Sequence, residues 1–379
     1  MEKVFLAAFM FVVLGILVAG VKKAKKGEIH EDFLSLKVTK GIQGFAAVGI
    51  MLHHLAQNAT EFGNVSKGLI GIYNDFGVIF TAIFFFFSGY GLYTSLKEKP
   101  DYLNHFFRKR LSSVLVPFYM ANTIYAVFFL IFSGEKLSAL DLVAVFTGWL
   151  LLNNNLWFIV EIVFLYVGFY IFFKFIKNKN IACFAMAAYI FIMVAVALLL
   201  GHDYETISAG RWFHGEWWYN TTWTFFIGLM IARFKDKIVN MVKKKYPAFL
   251  IGSIAVFFIL WFNSLYMMGR YGYYYEDVDY PGYFEKFMSL IAQCPAAIAF
   301  VLMLLIISMK LKFSNKVLDF LGKISIELFL IHHMYLVIFG TLIENNVLFF
   351  ICVYAGSILT AILLHFVDGK IINAIKGNK

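Results

Sequence analysis

Two pairs of adjacent histidines stand in apolar sequence, His53-His54 and His332-His333, and a neutral imidazole can take up and return a proton near the working pH. Ser88, in Phe87-Ser88-Gly89-Tyr90-Gly91, adds a hydroxyl, and Glu161, in Leu156-Trp157-Phe158-Ile159-Val160-Glu161, adds a carboxylate. These groups suit proton removal from an attacking hydroxyl, or a proton relay along a polar pathway. Arg108-Lys109-Arg110 is a ready site for phosphates, which Arg binds in bidentate geometry. Basic residues kept on the cytoplasmic side of a membrane explain the same cluster.

The element that must position His54 is the helix predicted over residues 41–57. At 3.6 residues per turn, Lys40, Gln43, Ala47, Ile50 and His54 fall on one stripe, with His54 roughly 16 Å beyond Gln43. That depth is near the middle of a hydrocarbon core about 30 Å thick, where an ionisable side chain is costly and needs a reason. A hydrogen bond to a neighbouring helix would be reason enough for one histidine. Counting from Lys323, however, His332 lies roughly 13 Å deep, at a similar level. Ser88 and Glu161 meet the same layer from their own spans. A polar layer drawn from four helices points to a pathway or a catalytic chamber.

Composition demands a membrane. With 61% hydrophobic and 15% charged residues, 45 Phe and a mean hydropathy of +0.77, the chain is a polytopic all-α protein. The apolar runs predict an N-terminal anchor over 4–20 and ten further spans near 41–57, 71–95, 111–133, 156–176, 181–200, 217–233, 248–267, 285–309, 323–343 and 347–367. Two domains follow, an anchor with its basic flank (1–30) and a membrane domain (31–379). Segment 138–152 is too short to span and is expected to lie along the outer face or to re-enter. With the N-terminus outside and the C-terminus cytoplasmic, 27 of the 33 Lys and Arg residues fall on the cytoplasmic side of the plasma membrane. The net charge of +10 therefore reflects topology and not nucleic acid. Cys183, Cys294 and Cys352 lack the spacing of a disulfide framework or a zinc site, so no metal is expected. Two outward loops, one with His202, Asp203, Glu205, Arg211, Trp212, His214, Glu216, Trp217 and Trp218, the other with Arg270, Tyr271, Tyr273, Tyr274, Tyr275, Glu276, Asp277, Asp279 and Tyr280, mix carboxylates, Arg and aromatic rings as a sugar site does. Interfacial aromatic belts have the same composition.

These residues resemble acyltransferase family 3, whose integral membrane proteins carry an Arg or Lys and, eleven positions later, a His on the first core helix. Gln43 and His54 match that spacing, with Gln in place of the basic residue and Lys40 one turn away to supply a charge. Phe84 to Gly91 resembles the family's Phe-Phe-x-x-Ser-Gly-Phe pattern, Phe107 through Pro117 its basic stretch before a proline, Leu156-Trp157-Phe158 its Leu-Trp-Phe motif, and Ser325 through His332 its late motif ending in His. The resemblance covers about residues 35–367. It implies a ten-helix core that transfers an acyl group, usually acetyl from acetyl-CoA as co-substrate, to a carbohydrate or other hydroxyl-bearing acceptor. On that reading His54 is the general base, His332 or Ser88 orients it or polarises the carbonyl, and Lys40, Gln43, Arg108, Lys109 and Arg110 bind the donor. Glu161, Trp157 and Asn155 belong to the acceptor side, and no cofactor is held. A proton-coupled transporter of a small polar solute is the alternative, and haem held between His54 and His332 a further one.

Overall fold

The computed structural model describes residues 2–61, 73–132, 137–200, 219–272 and 282–377. Among the described residues fourteen α-helices follow one another: α1 (Glu2–Val18), α2 (Leu36–Glu61), α3 (Gly77–Glu98), α4 (Ser112–Phe132), α5 (Ala139–Thr147), α6 (Trp157–Phe175), α7 (Lys179–Leu200), α8 (Trp223–Arg233), α9 (Lys235–Lys244), α10 (Tyr246–Tyr271), α11 (Tyr283–Lys310), α12 (Lys316–Lys323), α13 (Ser325–Leu342) and α14 (Asn346–Lys376). Among the described residues, eight helical stretches are long and apolar enough to cross a membrane; they contain α3, α4, α6, α7, α10, α11, α13 and α14. The other three expected spans correspond to α1, to α2, whose apolar run is diluted by two histidines and two glutamines, and to α8, whose expected first residues 217–218 lie outside the described residues. Helix is the expected solution, because a spanning segment must satisfy its own backbone polar groups. Side chains such as Phe175, Phe184 and Ile251 are largely exposed, which lipid tolerates and water would not.

α5 has nine residues, roughly 13 Å, and cannot span. A reciprocal capping box starts it. The Asp141 amide donates to Ser138 Oγ at 3.1 Å, and Asp141 Oδ2 accepts from the Ser138 amide at 2.9 Å. The Ser138 hydroxyl also donates to Asp141, and these bonds hold that carboxyl below its ordinary range. Gly148, at φ +75°, ends the helix in the left-handed conformation that favours glycine.

The chain forms two compact units. The first comprises Met1–Phe87, Phe234–Ile259 and Ala297–His365, and the second Ser88–Arg233, Leu260–Ala296 and Phe366–Lys379. Within the first unit, β1 (Lys22–Lys23) pairs antiparallel with β2 (Leu311–Lys312). Lys312 forms an ion pair with Asp32 beside this ladder and holds its carboxyl below the usual carboxylate range. α1 is joined to the same unit through Phe9, whose ring meets Tyr354 and Phe350 at 5.1 and 6.0 Å.

Candidate active site

In the first unit, α2 packs against both α12 and α13. Glycine sets its approach: a Cβ on Gly44 would fall 2.4 Å from the Gly322 amide nitrogen, and one on Gly322 would fall 2.5 Å from the Lys40 carbonyl oxygen. Lipid tails give helices no hydrophobic reason to associate, so backbone contact of this kind supplies the van der Waals attraction instead. The chain then turns at Ile324 and runs along α2 as α13. His332 is thereby brought onto His54, with ring centroids 5.4 Å apart and planes inclined by 28°. His333 meets His54 edge-on at 6.1 Å, and His53 lies 4.8 Å from it. The equal depths counted along two separate spans thus correspond to a contact.

Hydrogen bonds divide the roles of the histidines. His332 is fully buried, and its Nδ1 lies 2.8 Å from the Phe329 carbonyl oxygen and 3.2 Å from that of Leu328. A carbonyl only accepts, so Nδ1–H donates and the lone pair of the neutral ring is left on Nε2. That Nε2 has no hydrogen-bond partner among the described residues. His54 Nδ1 lies 3.2 Å from Gln57 Oε1, which leaves its lone pair on Nε2 by the same reasoning. His53 Nδ1 donates to the Tyr73 carbonyl at 2.9 Å, and a Cβ on Gly77 would fall 2.5 Å from His53 Nε2. The absent side chain at Gly77 is therefore the space His53 fills, and His53 ties α2 to the start of α3. His54 and His332 are the pair whose rings stack across the α2–α13 contact.

On the stripe below His54, Ile50 and Ala47 are buried, Gln43 is half-buried and Lys40 is exposed. Glu327 has Lys323 four residues earlier as a possible partner in sequence, but its carboxylate meets His365 Nδ1 of α14 at 2.8 Å.

In the second unit, Phe107–Leu111 is a π-helical turn, a form that recurs at functional sites. Arg108 and Lys109 are exposed, whereas Arg110 is half-buried, with its guanidinium 5.1 Å over the Tyr166 ring and donating to the Tyr166 hydroxyl at 3.1 Å. Arg108 donates to the Lys376 carbonyl at 3.0 Å, and Lys376 Nζ lies 3.3 Å from Ser113 Oγ. Lys376 thus joins the basic group from the far end of the chain, with no local signal to announce it. Ser88 is buried, and the glycine after it serves packing: a Cβ on Gly89 would fall 1.9 Å from the Phe225 carbonyl oxygen.

Glu161 is fully buried, Trp157 is buried and Asn155 is half-buried, its amide donating to Asn153 Oδ1 at 3.0 Å. The Thr222 hydroxyl donates to Glu161 Oε1, and Glu161 Oε2 has no partner among the described residues. Nearby in chain order, Asn220 donates to Gln293 Oε1 at 2.8 Å. Asn220, Thr221, Thr222 and Gln293 are all buried, and sequence reasoning missed them. The signal was Gln293, an amide inside the long apolar stretch of α11, where an intramembrane polar group calls for a partner. Of the two outward loops, His202 to Trp218 and Tyr273 to Tyr280 lie outside the described residues, and only Arg270 and Tyr271 fall within them. Among the described residues no group of three or more His, Cys, Asp and Glu is arranged to hold a metal ion.

Compared with known families, residues 40–366 match the model described as an acyltransferase domain, Acyl_transf_3. The chain belongs to acyltransferase family 3. No curated protein and no solved structure matched it. The match begins at Lys40 and ends beyond His365, so the α2, α12 and α13 assembly that brings His54 to His332 lies inside the acyltransferase family 3 domain. The protein is a multi-pass membrane acyltransferase.

Proposed function

We propose that the protein is an O-acetyltransferase that moves an acetyl group from cytoplasmic acetyl-CoA to a hydroxyl of a cell-surface or envelope carbohydrate. The observation that carries this reading is the contact of the His54 and His332 rings, 5.4 Å apart between centroids, inside an acyltransferase domain. His54 Nε2 takes the proton of the acceptor hydroxyl as its oxygen attacks the thioester carbonyl. The tetrahedral intermediate collapses, the C–S bond breaks, and the departing CoA thiolate takes the proton back from His54. Products are the O-acetyl ester and CoA thiol. His332 or Ser88 orients the base or polarises the carbonyl. Lys40 or Gln43 contacts the donor, while Arg108, Lys109 and Arg110 bind its phosphates. Glu161, Trp157 and Asn155 serve the acceptor.

Membranes containing the protein, incubated with acetyl-CoA labelled in the acetyl group, are expected to transfer label to a glycan; label in no acceptor, with intact protein present, would overturn the donor assignment. Replacing Arg108 and Arg110 with Gln should raise the KM for acetyl-CoA about tenfold while kcat changes less, since contacts made equally in ground and transition states act on KM. An unchanged KM in correctly inserted protein would reduce the cluster to a topology signal.

The reading has the protein in the plasma membrane, and the charge asymmetry supports an N-terminus outside and a C-terminus in the cytoplasm. In a cysteine-free background, Lys244→Cys should react with an impermeant thiol reagent only after membrane disruption, and Tyr274→Cys in intact cells. The reverse pattern would place the donor site on the wrong side.

A further inference from the structure

α10 and α11 leave between them a lengthwise groove of about 420 Å³, within the first unit. Lys245 stands at one end, Gly252 and Val256 line α10, and Ala299, Leu302 and Ile306 line α11. The groove exists because Gly252 projects nothing into it: a Cβ there would meet no atom within 4 Å. Its foot is fixed by the Tyr246 hydroxyl, which donates to the Ile306 carbonyl at 3.0 Å. From Lys245 to Val256 is eleven residues, roughly 16 Å of helix, which is half of a hydrocarbon core about 30 Å thick. The groove therefore has the length of one leaflet. Lys245 itself lines the mouth, and the two exposed residues before it in the chain, Lys243 and Lys244 in the last turn of α9, put two more positive charges close to that end.

We propose that this groove binds one anionic phospholipid, with an acyl chain along Gly252 and Val256 and the phosphate headgroup on Lys243, Lys244 and Lys245. Apolar walls over the depth of one leaflet, ending in a cluster of positive charge, complement a lipid whose tail and headgroup are joined in that order. A second copy of the chain fits the same face less well. Two protomers related by a two-fold axis along the membrane normal would bring their lysine clusters together at one end, where like charges repel. The site is independent of the acyl-transfer assignment, and its test does not use that activity.

The test is native mass spectrometry of the purified full chain, released from nanodiscs made of equal amounts of phosphatidylglycerol and phosphatidylcholine. The expected result is retention of one phosphatidylglycerol per protomer, in at least tenfold preference over phosphatidylcholine. Gly252→Trp should fill the groove and abolish retention of either lipid. Replacing Lys243, Lys244 and Lys245 with Gln should leave the groove occupied but bring the two lipids to parity. Equal retention of both lipids by the native chain, or undiminished phosphatidylglycerol in Gly252→Trp, would overturn the proposal. So would a dimer that carries no lipid and dissociates in Gly252→Trp, because the occupant would then be a second copy.

Discussion

His54→Gln is expected to lower kcat by about 10²–10⁴-fold, the range that a positioned general base contributes. Gln keeps the polarity and approximate size of the imidazole but cannot take a proton, so insertion and the contact with α13 should survive. His53→Gln is the matched control. His53 donates to the Tyr73 carbonyl and fills the space beside Gly77, a role in anchoring α2 to α3, so its replacement should cost stability and leave turnover within a few-fold of normal. Turnover measured on purified, monodisperse protein decides between them. Near-normal activity in His54→Gln would remove it as the base, and equal loss in both variants would move the role to His332, the histidine whose Nε2 is buried beside it.

Gly44→Val is expected to be the most damaging substitution outside the histidines. The new Cβ would fall 2.4 Å from the Gly322 nitrogen and 2.5 Å from the Leu321 carbonyl carbon, and backbone cannot rotate out of the way as a side chain can. Overpacking costs about 1–3 kcal/mol where side chains yield, and more where they cannot. Because this crossing holds α2 on α12, the variant should show a lower melting temperature, a smaller monodisperse yield and lost activity together. Gly269→Val is the comparison, since a Cβ there meets nothing within 4 Å. A Gly44→Val protein as stable as Gly269→Val would mean that the helices do not approach as closely as described.

Much of the architecture was legible because a membrane leaves few options. Spans of about 20 apolar residues can only be helices, and a fixed rise of 1.5 Å per residue placed His54 and His332 at one depth before any contact was known. Counting could not say which ring nitrogen carries the proton, since that depends on the carbonyls of Leu328 and Phe329 and on Gln57. Nor could it find partners from distant helices. Glu327 has a plausible neighbour in Lys323, yet its bond goes to His365, 38 positions away. Asn220 and Gln293, 73 positions apart, read singly as a loop residue and an oddity, and Gly44 and Gly322 read as ordinary glycines until their backbones meet. The Ser88-Gly89 motif shows the converse, because its glycine has a packing role against Phe225 that the pattern alone does not disclose.

The route by which α2 finds its partners bears on how the protein is made. Everything that encloses His54 from α12 and α13 is encoded late, with His332 following it by 278 positions. At about 5–20 residues per second, translation leaves α2 in the membrane for roughly 15–60 s before its ring partner is synthesised. Through that interval the Gly44 face and the histidine have no α12 or α13 to pack against. A nascent chain stopped ahead of α12 would display both, a polar mark within the bilayer by which surveillance proteases can tell an unfinished enzyme from a finished one.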